Sequence, residues 1–160
     1  MLRGFDHGNS PTEILELDLS GRTLIHTTHA GTQGLVNATK ADVVFAGALV
    51  NAKATAQCVR SFSPNVVTLV RMGLEAEVNS DEDDLCAIYL ESLLLDHSFD
   101  TACIESQLRS SPFSQRFFDE SMPWSPASDF ELCVDVDRFN FAVQAEQIEA
   151  GQLSLRSIFP

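Results

Sequence analysis

Three short apolar runs alternate with helical patterns in the first half of the chain, and that alternation restricts the fold more than any other feature. Thr23–His26 carries Leu24 and Ile25, Asp42–Ala46 reads DVVFA, and Val66–Val70 reads VVTLV. The last is the near-continuous apolar run that a buried parallel strand needs. Between the first two runs a helix begins at Gln33, with Gln33–Ala38 as its first part and Leu35 and Val36 on its inner face. Between the second and third a helix runs from Asn51, a good N-cap, through about Phe62, and Pro64 then breaks the chain. Strand, helix, strand, helix, strand predicts an α/β fold: three layers, α/β/α, around a mainly parallel sheet with right-handed crossovers.

The remainder extends that scaffold. Ser10 with Glu13 fits a capping box, with Pro11 at the first helical position, so a short helix over about Pro11–Leu17 is expected. Before it the loop Gly4 to Pro11 opens the chain with no strand ahead of it, whereas a doubly wound domain normally begins with a strand that becomes central. Ser80–Asp84 starts a long helix to about His97, whose wide apolar surface predicts packing on more than one neighbour. A helix over Thr101–Ser110, a helical turn around Phe113, Phe117 and Phe118, and a short helix capped by Ser128 or Asp129 and ending near Val134 follow. The alternating tail, Phe141, Val143 and Ala145, then Leu153 and Leu155 after Glu149–Gln152, reads as a β-hairpin. At 160 residues and 44% hydrophobic, residues 1–160 form a single domain.

Ten Lys and Arg against 23 Asp and Glu give a net charge of −13, which argues against a nucleic-acid or anionic-membrane partner. No run of apolar residues is long enough for a transmembrane helix, and the opening residues lack the apolar core of a signal peptide. Cys58, Cys86, Cys103 and Cys133 are widely spaced with no C-x-x-C, so they read as reduced core thiols of a cytoplasmic protein.

Two stretches carry chemistry. Thr27-Thr28-His29-Ala30-Gly31-Thr32 is a loop between a strand and a helix, where backbone N–H groups converge and the helix dipole adds positive charge. Gly31 allows close approach and Thr27, Thr28 and Thr32 add hydroxyls, an arrangement suited to phosphate. Asp81 to Asp84, preceded by Glu75 and Glu77, exceeds what helix capping needs. A hard cation such as Mg²⁺ takes one or two carboxylates together with phosphate oxygens and water. His26 and His29 flank the threonine loop at a spacing that disfavours shared metal ligation. No nucleophile elbow, Walker loop or dinucleotide fingerprint is present.

In series, Gly-Phe-Asp-His-Gly-Asn-Ser-Pro, Thr-Thr-x-x-Gly-Thr, Gly-Ala-Leu-Val-Asn-Ala and Glu-Asp-x-Leu-Cys-Ala resemble the 2-phosphosulfolactate phosphatase family, Mg²⁺-dependent phosphatases of coenzyme M biosynthesis. The resemblance is strongest from Gly4 to Leu90 and covers the later two-thirds of such an enzyme. It implies Asp6, Glu82 and Asp83 as catalytic and Mg²⁺-holding residues. It implies Asn9, Thr27, Thr28, Gly31, Thr32, Asn51 and Glu75 around a small phosphorylated, anionic substrate, 2-phosphosulfolactate, which would be cleaved to sulfolactate and phosphate. Assembly as a homo-oligomer is compatible with it.

The family's earlier segment, with an Asp-Val-Leu-Arg-Ala-Thr-Thr-like strand end and a Gly-Gly-Glu-Arg-like turn, has no counterpart here. Ala30 stands where an Asn is common, and the stretch between Gly73 and Ser80 is a residue longer. These departures keep a second reading open: a truncated, non-catalytic α/β protein that binds a phosphate ligand or serves as a subunit. A third keeps the scaffold and changes the substrate, because few cations, Arg22, Arg71 and Arg3, are available to grip a sulfonate.

Overall fold

A computed structural model describes residues 4–149 and 151–160. The helices follow the apolar pattern: α1 Pro11–Leu15, α2 Gly31–Asn37, α3 Ala52–Ser61, α4 Asp81–Leu94, α5 Ala102–Ser110 and α6 Ala127–Val134. Single 3₁₀ stretches cover Leu49–Asn51, just ahead of α3, and Pro112–Phe118, between α5 and α6. The strands are β1 Val44–Ala46, β2 Ala142–Glu149 and β3 Gln152–Ile158.

The protein mixes α and β structure, but the sheet is not the parallel one the alternation predicts. Among the described residues it has three strands in the order β1-β2-β3, and both pairings are antiparallel. The C-terminal hairpin forms as expected, with Ala145 opposite Leu155 and a register irregularity between Gln147 and Glu149; Ala150 lies outside the described residues. The hairpin's first strand then pairs with β1, Phe45 opposite Gln144. Thr23–His26 and Val66–Val70 join no ladder. A strand's backbone groups must be paired by a neighbour, and among the described residues no backbone hydrogen bond reaches residues 23–27 or 64–70. Their apolar composition is that of strands, and the neighbour is what they lack.

The core is helical. Leu49, Ala52, Ala56, Tyr89, Leu90, Ile104, Leu108 and Phe130 form one buried cluster that joins α3, α4, α5 and α6. The Tyr89 hydroxyl donates to Asp137 Oδ2 at 2.5 Å, and Asp137 Oδ1 accepts the Lys53 N–H at 2.7 Å. One carboxylate thus ties the middle of α4 to the first turn of α3. Burial, and then the bond to Asp137 and its charge, push the Tyr89 phenol up, so it remains a donor at neutral pH. The same loop holds the 3₁₀ turn, through Asp137 N–H to the Leu49 carbonyl and Phe139 N–H to the Val50 carbonyl. The cysteines are free thiols; Cys58 is buried, and burial pushes Cys86 up to about 12. Among the described residues no helix is long and apolar enough to cross a membrane.

Candidate active site

The opening loop is held from both sides. Ser10 caps α1 by accepting the Glu13 N–H at 3.2 Å, as its spacing predicts, but the Glu13 carboxylate turns to His7 Nδ1 at 3.0 Å. The Ser10 hydroxyl also donates to Asp129 Oδ1 at 2.8 Å, and the same oxygen accepts the Thr12 N–H at 2.9 Å. Asp129 is buried, and rather than capping its own helix it anchors α1 on α6. On the other side Asn9 Oδ1 bonds His26 Nε2 at 3.2 Å, which brings the opening loop against the residue before Thr27. Neither contact is foreseen by local pattern: the partners lie 119 and 17 residues apart. Asp6 is exposed.

The threonine loop folds on itself. Thr28 Oγ1 accepts the Thr32 N–H at 3.1 Å, and Thr32 Oγ1 accepts the Thr28 N–H at 3.0 Å while donating to the Thr28 carbonyl at 2.8 Å. This reciprocal exchange is a capping-box device. It commits the Thr32 hydroxyl to the turn and leaves the Thr28 hydroxyl proton and the exposed Thr27 for other contacts. The helix that follows starts earlier than predicted, at Gly31, and has only seven residues.

From α2 a continuous line leads to the acidic cluster. The Met72 thioether occupies the space that a side chain at Gly34 would take. Next along the chain, the Gly73 N–H donates to Asp83 Oδ2 at 2.6 Å, and Arg71 Nη1 bonds Asp84 Oδ1 at 2.7 Å. Ser111 donates to Asp81 Oδ2 at 2.5 Å. Three of the four carboxylates therefore have structural partners, and Glu82 stands exposed without one among the described residues. Of the expected sulfonate-gripping cations, Arg71 is taken by Asp84, Arg22 is exposed and Arg3 lies outside the described residues. Glu75 sits at the tip of a tight turn, in the left-handed region at φ 57° with Ala76 beside it at φ 61°. Left-handed alanine costs roughly 1–2 kcal/mol, of which part returns as unfolded-state entropy on changing to glycine. Ala76→Gly is accordingly expected to raise the thermal midpoint by about 2 °C, read by calorimetry.

Asn51 is buried, and its Oδ1 accepts the Ala48 N–H at 3.1 Å, so it closes the 3₁₀ turn ahead of α3. Helix α6 touches both that turn and α1, which places Asn51 and the opening loop on a common support. The predicted residues thus join in two chains of contact: Asn9, His26 and the threonine loop, and then α2, Met72, Gly73 and Asp83. Asp6, Glu82 and Asp83 do not form a metal cage: among the described residues no three His, Cys, Asp or Glu side chains converge. Among the described residues, two concavities of about 620 and 280 Å³ contain none of the expected site residues. The candidate site is an open rim, not a closed pocket.

A mixed α/β protein with a hydroxyl- and amide-bearing turn linked to a carboxylate-rich helix start is a scaffold suited to phosphate esters. Residues 1–147 match the family described as 2-phosphosulpholactate phosphatase. A protein of Prochlorococcus marinus (strain MIT 9313), named probable 2-phosphosulfolactate phosphatase, is 30% identical over 171 residues, which span 95% of this chain and 68% of that protein. A protein of the same name from Bacillus subtilis (strain 168) is 27% identical over 150 residues, 91% of this chain and 64% of its own. Another, from Thermosynechococcus vestitus, reaches 40% identity over 84 residues, 52% of this chain and 34% of its own. No solved structure matches. The chain belongs to the 2-phosphosulpholactate phosphatase family, and these matches take in 34% to 68% of each relative's length.

Proposed function

We propose that this chain supplies the phosphate-ester-binding part of a cytoplasmic phosphatase that hydrolyses a small phosphorylated acid, 2-phosphosulfolactate, to sulfolactate and phosphate, as in coenzyme M biosynthesis. The observation that supports it best is the run of contacts from the Thr27–Thr32 turn through Gly34, Met72 and Gly73 to Asp83. Phosphoryl transfer depends on donors and charge positioned around the phosphoryl group, and this reading sets the turn's hydroxyls and the helix-start carboxylates on one rim. In this reading Thr27 and the Thr28 hydroxyl proton, with the N–H groups around Gly31, orient the phosphate. Asn9 is held by His26, and Asn51 supports the opening of α3. Thr32 shapes the turn. Glu75 lies at the edge of the substrate's path.

Mg²⁺ belongs to the proposal as a dependence to be measured. The carboxylates present do not fit a preformed cage, and a cation arriving with the substrate needs only one or two of them. Glu82 is the carboxylate left for it. Phosphate release from 2-phosphosulfolactate is expected to require added Mg²⁺ and to stop on addition of EDTA. Release that persists in EDTA contradicts the metal dependence, and no release under either condition contradicts the phosphatase reading. The open rim favours a second reading, a non-catalytic ligand-binding or subunit protein, and its signature is binding of the phosphate ester without turnover.

A further inference from the structure

Asn9 and His26 meet with each beside a fixed point of the backbone. Asn9 Oδ1 lies 3.2 Å from His26 Nε2. One residue past Asn9, Ser10 donates to the buried Asp129. Two residues past His26, Thr28 exchanges hydrogen bonds with Thr32. The contact therefore joins two segments that are anchored separately, and among the described residues it is the one side-chain hydrogen bond that either residue makes.

A carboxamide has two unlike ends. Its oxygen accepts and its nitrogen donates, and rotation about the last side-chain bond exchanges them at little cost. An unheld amide presents either end to a ligand, and its oxygen repels an anion. Here the oxygen is engaged. Its partner must carry a proton on Nε2, as the imidazolium and one neutral tautomer both do. With Oδ1 turned to the imidazole, the two Nδ2 hydrogens have no partner among the described residues. Thr27 follows His26 directly, and Thr28, two residues on, keeps a hydroxyl proton uncommitted. We propose, on the phosphate-ester reading of this rim, that His26 is a positioning residue: by donating to Asn9 Oδ1 it turns the Asn9 Nδ2 hydrogens toward a phosphoryl oxygen. His26 makes no substrate contact in this role. It acts through Asn9, so its effect disappears once the Asn9 amide is gone. An oriented donor serves the bound ester and the transition state alike, so its loss raises KM and leaves kcat.

The probe is inorganic phosphate, titrated calorimetrically into the full 160-residue chain. His26→Phe keeps a ring and removes the donor. It should weaken phosphate binding about fivefold to tenfold, with the thermal midpoint unchanged because Asn9 and His26 are both exposed. His26→Gln, whose terminal amide can donate to Oδ1, should restore binding to within about twofold of the parent. Asn9→Asp keeps the oxygen that His26 holds and exchanges the donor for a second acceptor, so it should weaken binding at least as much as His26→Phe. Adding His26→Phe to Asn9→Ala should weaken binding no further. With 2-phosphosulfolactate as substrate, His26→Phe should raise KM by the same factor at constant kcat. The proposal is overturned if the parent chain binds no phosphate, or if His26→Phe binds it as tightly as the parent. It is overturned equally if His26→Gln is no tighter than His26→Phe, which would make the imidazolium charge the operative feature, or if His26→Phe has its full effect in the Asn9→Ala background. Phosphate binding is read without turnover, so a parent chain that binds phosphate and releases none from the ester fails the phosphatase reading and leaves the role of His26 standing.

Discussion

Gly73→Ala is expected to destabilise the protein by about 3 kcal/mol or more and to abolish phosphate release. The first contribution is conformational. Gly73 has φ 63°, and an L side chain in that region costs roughly 1–2 kcal/mol. The second is steric: a Cβ at Gly73 would overlap the backbone carbonyl of Val78, which cannot move aside as a side chain can. Overpacking of this kind costs about 1–3 kcal/mol. The third follows from the displacement. The Gly73 N–H donates to Asp83 at 2.6 Å, and a hydrogen bond to a charged group contributes about 1.5–3 kcal/mol. These terms overlap, because one backbone shift relieves the clash and breaks the bond. Calorimetry should show the midpoint falling by about 10 °C. Asp83→Asn separates the causes. It keeps an oxygen that can accept the Gly73 N–H and removes only the charge, so the fold and phosphate release should both largely hold, since Glu82 is the carboxylate left for the cation. A Gly73→Ala variant as stable as the parent would mean that the turn has another conformation.

The helices could be read from sequence because each depends on signals within its own length: Ser10 and Pro11 at the start of α1, the acidic turn opening α4, and apolar spacing along α3 and α5. The hairpin was legible for the same reason. The sheet was not, because a strand is defined by what lies beside it. Leu24-Ile25 and Val66–Val70 have the composition of buried strands, yet among the described residues only Asp42–Ala46 finds a partner, and that partner is the C-terminal hairpin running antiparallel. At the site, the threonine turn and the acidic helix start stand out by residue type. Their connection through Met72 and Gly73 depends on shape: a glycine in α2 that leaves room for a thioether, and a left-handed glycine whose N–H meets a carboxylate. His26, whose spacing from His29 disfavours shared metal ligation, instead holds Asn9.

Asp129 is the clearest case of a residue whose importance arises only in three dimensions, and Asp129→Ala is expected to act locally. Helix α1 has five residues and buries none of them, so apolar packing does little to hold it. Its attachment to α6 consists mainly of Asp129 Oδ1 accepting from the Ser10 hydroxyl and the Thr12 N–H, with the Thr12 and Ser128 hydroxyls 2.7 Å apart beside it. Removing a buried acceptor that serves two donors costs about 2–3 kcal/mol. Because a five-residue helix can detach without exposing the core, most of that cost should appear as release of α1 and not as global unfolding. Exchange at the amides of residues 12–16 should accelerate while those of α3 and α4 stay protected. The opening loop would then lose its fixed position opposite His26, and displacement of about 1 Å in a reacting constellation costs on the order of 100-fold in rate. The expected signature is a kcat/KM reduced about 100-fold, carried in kcat, with a thermal midpoint lowered only a few degrees. Asp129→Asn, whose Oδ1 can accept both hydrogen bonds, should restore most of the rate and the protection. Loss of rate in the asparagine variant equal to that in the alanine variant would mean that the negative charge itself, and not the tether, is what Asp129 provides.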